Sequence, residues 1–275
     1  MIGHQVFNYL DSFDHYSLFN TSFRNKLKED TILLDVRDEN LLMRTLNEIK
    51  PDIVINCIGV LINICDQDIK KAIEVNALFP HKLAKFSDQI NAKLIHMSTD
   101  CVFSGRKAKP YKEDDHKDGL DNYAKTKGLG EIINGNHLTL RTSVVGPELK
   151  SDGEELFNWF MYQQREIYGY TNAIWSGVTT LELAKAVKWS IDNDINGLYH
   201  ITNGIPISKY DLLILFKELT NKDISIKPNG DLQVNKSFID TRKLIDYEIP
   251  SYSEMISALV KFIEKNKHQY QHYQI

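Results

Sequence analysis

Pro51-Asp-Ile-Val-Ile-Asn-Cys-Ile58 is a short apolar run bounded by Pro51 on one side and Gly59 on the other. A strand with one wet face alternates polar and apolar residues. A run apolar on both faces is what a parallel sheet covered by helices requires. Outward from this strand the chain keeps the same rhythm. Before it, residues 39–50 carry a helical pattern, with Asp38 as a natural N-cap and Pro51 as the stop. Further strands are expected at residues 17–20, 31–36, 93–98 and 139–145, and helices at 3–10, 67–89 and 122–133. Strands alternating with helices define a doubly wound α/β sheet. Beyond residue 146 the pattern changes to helices at 154–164, 180–192, 208–220 and 251–266, with one strand at 197–202. Residues 1–146 are therefore expected to form a dinucleotide-binding, Rossmann-like domain, and 147–275 a smaller substrate-binding region.

Composition narrows the class. The 275 residues can bury a full core. With 33 basic and 37 acidic residues the net charge is -4, so no nucleic-acid surface is expected. No apolar run is long enough for a membrane span, and the N-terminus lacks the layout of a secretion signal. Cys57, Cys65 and Cys101 form an odd set without metal-site spacing, which argues for a reducing compartment and hence the cytoplasm. No metal site is expected. His268 and His272 have i, i+4 spacing but lie in a polar tail without a third ligand.

The chemistry concentrates where a strand ends in Ser98-Thr99-Asp100 and a helix opens with Tyr123-Ala-Lys-Thr-Lys127. Tyrosine and lysine four apart share one helix face. A free tyrosine, with a pKa of about 10, is a slow proton relay at neutral pH, and a neighbouring ammonium is expected to bring it down. Such a pair can move a proton while a hydroxyl at the strand end hydrogen-bonds a reacting carbonyl oxygen.

Ser98-Thr-Asp-Cys-Val-Phe-Ser-Gly105, Tyr123-x-x-x-Lys127 and Leu140-Arg-Thr-Ser-Val-Val-Gly146 together resemble dTDP-4-dehydrorhamnose reductase and its relatives among the extended short-chain dehydrogenases/reductases. The resemblance implies NAD(P)H-dependent reduction of the 4-keto group of a nucleotide-linked deoxysugar, in the synthesis of a polysaccharide or similar glycan. It implies a catalytic set of Thr99, Tyr123 and Lys127. Tyr123 would give a proton to the sugar oxygen, Thr99 would polarise the carbonyl, and Lys127 would also hold the nicotinamide ribose. Ser98, Asn56 and Asn76 match positions that line the cofactor, and Asp35 resembles the acid that meets the adenine amine. Asp100, Trp175 and Arg242 are expected on the substrate, with Arg242 or Lys243 meeting its diphosphate. Two alternatives stay open. One is a non-catalytic cofactor-binding subunit like the methionine adenosyltransferase β-subunit; the other is a reductase of a UDP-acetamido-deoxyhexose. A homodimer is compatible with either.

Two departures sharpen this reading. The similar nucleotide-sugar 4,6-dehydratases carry Asp-Glu after the threonine, whereas this chain has Asp100-Cys101, and a thiol does not replace that carboxylate. Reduction is preferred to dehydration. The second departure is at the dinucleotide fingerprint. Its last piece matches Met1-Ile-Gly3-His4, making Gly3 the third glycine, and the first strand and two earlier glycines are not within the sequence. About ten further residues would supply them. An upstream segment encoding an apolar strand ending Gly-x-x-Gly is the expectation. About twenty residues beyond the glycines, where NAD enzymes place an acid, the chain has Thr21, Ser22 and Arg24. Arg24 suits a 2′-phosphate, so NADP(H) is favoured and NAD(H) left open.

Overall fold

The computed structural model describes residues 1–242, 247–273 and 275. The chain opens with α1 (Ile2–Leu10), then β1 (Thr21–Ser22), β2 (Ile32–Leu33), α2 (Glu39–Ile49) and β3 (Ile53–Asn56). Short helices α3 (Ile62–Gln67) and α4 (Ile69–Ala72) run into a π-turn over Ile73–Leu78 and then α5 (Phe79–Gln89). Next come β4 (Lys93–Thr99), a 3-10 turn at Asp100–Val102, α6 (Asn122–Leu129), β5 (Leu138–Thr142) and β6 (Val144–Val145). The remainder holds α7 (Leu156–Tyr162), β7 (Glu166–Tyr170), β8 (Ala173–Trp175), β9 (Val178–Thr179), α8 (Thr180–Asp192), β10 (Gly197–His200), β11 (Ile207–Ser208), α9 (Lys209–Thr220), β12 (Ser225–Asn229), β13 (Val234–Asn235) and α10 (Tyr252–Lys265).

The main sheet is parallel, in the order β10-β5-β4-β3. Along β4, Ile95 and Met97 face one apolar cluster with α1, α8 and α10, while Leu94 faces another with α2 and α5. Alternate residues of one strand thus enter two cores, as in a doubly wound sheet, and the α/β expectation holds. β1 and β2 pair in parallel as a separate two-stranded piece. No ladder joins β1 to β3 among the described residues. That interruption falls where the fingerprint strand of a doubly wound fold belongs. β10 comes from the second half of the chain yet pairs with β5, and α8 packs on α1. Residues after 146 therefore contribute to the sheet as well as to what stands above it.

Local chemistry explains most boundaries. Asp38 caps α2 by accepting a hydrogen bond from the Leu41 amide at 3.0 Å, and Lys50 ends it in the left-handed region. The strand expected at 17–20 is displaced to Thr21–Ser22, because it pairs only where β2 lies alongside. The helix expected at 67–89 is interrupted twice, at Asp68 and by the π-turn. The π-turn carries Asn76, and π-bulges often mark functional sites. The helix expected to reach 133 stops at Gly130, whose backbone approaches that turn so closely that an added Cβ would lie 2.0 Å from the Asn76 carbonyl oxygen. Gly130→Ala is accordingly expected to destabilise the fold by about 1–3 kcal/mol through overpacking. A shift in the urea midpoint checks this; an unchanged midpoint would mean the contact relaxes freely.

Candidate active site

β4 carries the reactive end of the chain to its carboxyl edge. Its last residue, Thr99, caps the 3-10 turn by accepting from the Cys101 amide at 3.2 Å, and its hydroxyl donates to the Asp100 carboxylate at 3.2 Å. α6 begins with Asp121, which caps it through the Ala124 amide at 2.7 Å, so Tyr123 and Lys127 lie on the first two turns. α6 packs against both β4 and the 3-10 turn. Thr99, Tyr123 and Lys127 are thereby brought to one place.

The electrostatics differ from the sequence expectation in one respect. Burial pushes the Tyr123 phenol above its ordinary value, and Cys101 and Asp100 push it further, against an opposing pull from the Thr99 hydroxyl. The expected lowering by Lys127 is not seen, because burial leaves that phenolate poorly solvated. The Lys127 ammonium, 5% exposed, donates to the Met97 carbonyl oxygen at 2.7 Å. Burial lowers its pKa to about 8, with Glu131 opposing. A phenol kept protonated suits a proton donor. Cys101 is pushed up to about 12, chiefly by burial and by Asp100, and is a neutral thiol rather than a carboxylate substitute.

The residues expected to line the cofactor divide into two groups. Gly3 lies in α1, where a Cβ would meet the Cys57 side chain at 3.5 Å, so this helix passes close to the end of β3. Arg24 is exposed just past β1, its guanidinium 5.3 Å from the Phe23 ring centroid, and it forms no ion pair among the described residues. The others have structural partners. Asn56 accepts from the Ile58 amide at 3.0 Å and its amide nitrogen meets His96 Nδ1 at 3.0 Å. Asn76 accepts from the Val60 amide at 2.9 Å and donates to the Val60 carbonyl at 3.0 Å. The two asparagines shape the loop after β3 rather than leaving their amides free. Ser98 spends its hydroxyl on Glu131 at 2.7 Å. Asp35 pairs with Arg37 at 2.6 Å, which holds its carboxyl below the usual range.

On the substrate side, Trp175 is 2% exposed and Asp100 6% exposed, and both approach the catalytic end through their common neighbour Lys209. Arg242 has structural partners of its own. It donates to the Leu198 carbonyl at 2.8 Å and pairs with Asp114, so its guanidinium is committed to tying loops together. Lys243, the other expected diphosphate contact, lies outside the described residues.

Two cavities lie at opposite ends of the main sheet. One of about 430 Å³ is lined by Asp52, Asp88, Lys93 and Asp194 at the amino-terminal ends of β3 and β4. The other, about 120 Å³, is lined by Cys101, Ser104, Arg106, Asp121 and Lys236, beside the catalytic residues. Ligands of open α/β sheets bind at the carboxyl ends of strands, so the smaller cavity is the relevant one despite its size.

A buried network absent from the sequence reading supports the site. Arg141 in β5, 1% exposed, grips Glu131 with two hydrogen bonds of 2.7 Å and reaches the Glu113 carbonyl oxygen and His200. Glu131 in turn receives Ser98, next to Thr99. The signal was present: an arginine within an apolar strand must find a carboxylate, although the sequence does not say which.

Among the described residues there is no cluster of metal-ligating side chains, and no helix is long and apolar enough to cross a membrane. The geometry defines a Rossmann-like protein of the short-chain reductase type, and residues 13–237 match the RmlD substrate binding domain; the chain belongs to that family. It is 28% identical over 199 residues to the spore coat polysaccharide biosynthesis protein SpsK of Bacillus subtilis, covering 70% of each chain. It is 29% identical over 189 residues to the dTDP-4-dehydrorhamnose reductase of Escherichia coli, covering 65% of this chain and 63% of that one. These alignments thus span about two thirds of the relatives' length. In structure it resembles the Bacillus anthracis dTDP-4-dehydrorhamnose reductase solved in complex with NADP, with TM-score 0.80 and 21% identity, covering 96% of this chain and 95% of that one.

Proposed function

We propose that this chain is an oxidoreductase that reduces the 4-keto group of a nucleotide-linked deoxysugar with NAD(P)H, in the synthesis of a polysaccharide or similar glycan in the cytoplasm. The observation that carries this reading is the assembly of Thr99, Tyr123 and Lys127 at the carboxyl end of β4, with a neutral thiol at Cys101. Family membership and the reductases among the relatives support it. Residues 1–146 carry the cofactor side, and the loops and short strands after 147 carry the sugar and nucleotide.

The residues present fit a dinucleotide at its two ends. Lys127 has three donors and uses one on Met97, leaving others for a ribose. Arg24, without an ion-pair partner among the described residues, suits a 2′-phosphate and favours NADP(H), with NAD(H) the alternative. When bound, the reduced nicotinamide supplies a hydride to the carbonyl carbon. The chain's own residues do the rest. Thr99 and Tyr123 hold the carbonyl oxygen with their hydroxyls, and Tyr123 passes its proton to that oxygen as alkoxide character develops. An alkoxide is a stronger base than a phenolate, so even a raised tyrosine pKa leaves the transfer downhill. Lys127, anchored on the Met97 carbonyl, holds the nicotinamide ribose through its remaining donors.

This arrangement predicts a falling pH profile. Lys127 is protonated below about pH 8 and loses its charge above it. Reduction measured as NADPH oxidation with dTDP-4-dehydrorhamnose should therefore decline as pH rises through that value. A rate that rises through the same range would contradict the assigned roles.

A further inference from the structure

Arg242 is committed elsewhere, so the diphosphate of a nucleotide sugar needs another cationic site. The small sheet of the C-terminal half supplies one through its strand order, β11-β8-β13. β8 lies in the middle and ends with Trp175. β11 pairs with it through Ile207 opposite Trp175, and the chain turns directly from β11 into α9 with Lys209 as its first residue. β13 pairs on the other side, and Lys236 follows it, its amide donating to the Ile174 carbonyl at 3.0 Å. One lysine thus stands on either flank of Trp175.

Both face the catalytic end. Lys209 Nζ lies 4.8 Å from the Trp175 ring centroid and feels the Asp100 and Glu155 carboxylates. Lys236 lines the 120 Å³ cavity with Cys101, Arg106 and Asp121, and stands against the Cys101 thiol and Asp100. Trp175 adds a buried indole N–H without a hydrogen-bond partner among the described residues, a donor an incoming ligand can satisfy. Lys209 and Lys236 make no ion pair within 4.0 Å among the described residues, which leaves their donors available. Burial and the neighbouring Glu148 push Glu155 up to about 7, so near neutrality it opposes an incoming anion less than a fully ionised carboxylate would.

We propose that Lys209 and Lys236, flanking Trp175, form the subsite that binds the diphosphate of the nucleotide-sugar substrate. The assignment rests on the reductase reading for the sugar, but not for the diphosphate itself. The dinucleotide cofactor is a second source of the same chemistry, and the position of both lysines in the C-terminal sheet argues for the substrate.

The test titrates dTDP, UDP and, separately, NADPH into the full chain and into Lys209→Ala, Lys236→Ala and the double variant. Removing one charge-assisted contact should weaken nucleoside diphosphate binding about tenfold, and the double variant more, with NADPH affinity unchanged. Lys209→Arg and Lys236→Arg, which keep the charge, should recover most of the affinity and so separate binding from folding. Turnover should show the loss in KM more than in kcat. Unchanged nucleotide affinity in the double variant, a loss for NADPH alone, or no nucleoside diphosphate binding by the wild-type chain would overturn the subsite. Nucleotide binding that depends on both lysines without any turnover of keto-sugar would sink the reductase reading and leave the subsite standing.

Discussion

Tyr123→Phe should lower the rate of keto-sugar reduction by about 10³-fold while leaving the fold and nucleotide affinity nearly unchanged. The substitution removes one hydroxyl from a half-buried ring and leaves the ring's packing on α6 intact. It therefore removes the proton donor without opening a cavity. Burial keeps the wild-type phenol protonated. The Cys101 thiol is pushed up to about 12, and the Lys127 ammonium is directed to Met97. Thr99 can still polarise the carbonyl, which is why a residual rate is expected. Single-turnover kinetics with saturating NADPH isolate the chemical step. A loss smaller than about tenfold would mean that the proton comes from elsewhere, since general acid–base catalysis contributes about 10²–10⁴-fold.

Glu131→Leu should cost about 3–5 kcal/mol of folding stability. Arg141 is 1% exposed, and Glu131 provides two of its hydrogen bonds. Without that carboxylate the guanidinium remains buried against neutral partners, the Glu113 carbonyl and His200. Desolvation raises the Glu131 pKa, but the hydrogen bond and charge of Arg141 overcome it, and the carboxyl ends below its ordinary value. The sign follows from that direction. The folded pKa is depressed, so the pair's stabilisation is present above the ordinary glutamate value and lost as pH falls through the lower, folded one. Replacing both residues, Glu131→Leu with Arg141→Met, should recover most of the loss, because no unpaired charge is then buried. Urea midpoints of the two singles and the double provide the cycle. A single variant within about 1 kcal/mol of wild type would mean that water reaches the pair.

What could be read from the sequence follows from how local each feature is. The grouping of Thr99, Tyr123 and Lys127 was legible because it depends on one strand end and one helix turn. α8 was legible end to end, since Thr179 caps it through the Glu182 amide and its apolar face keeps a helical period. The protein partners of Asn56, Asn76 and Ser98 were not legible. Each is a polar residue near the site, and only tertiary packing decides whether its side chain faces a ligand or a neighbouring loop. The π-turn escaped because no local residue pattern marks it, and its close neighbour Gly130 belongs to another segment of the chain. The small C-terminal sheets were legible only in part. Strands such as Val234–Asn235 are too short for a periodic signal, whereas Glu166–Tyr170 does alternate buried and exposed residues and could have been found. Lys209 and Lys236 are 27 residues apart, and strand pairing around β8 is what brings them together. Arg242 was read from motif likeness, and its commitment to Asp114 depends on a loop whose position the motif does not specify.

The interrupted sheet is the other place where reading and structure meet. Among the described residues β1 and β3 share no neighbouring strand. Gly3 nonetheless brings α1 close to Cys57, as the helix–strand packing role of a third glycine requires.

The central claim is that Thr99, Tyr123 and Lys127 deliver a proton to a carbonyl that receives hydride at the same site. NADPH deuterated at the nicotinamide C4, incubated with the chain and dTDP-4-dehydrorhamnose, tests this directly by mass spectrometry and NMR of the product. One deuterium at sugar C4 per NADPH oxidised is predicted for the wild-type chain, and none above background for Tyr123→Phe in the same time. Bound NADPH without deuterium transfer from the wild-type chain would contradict the claim and favour a non-catalytic, cofactor-binding subunit.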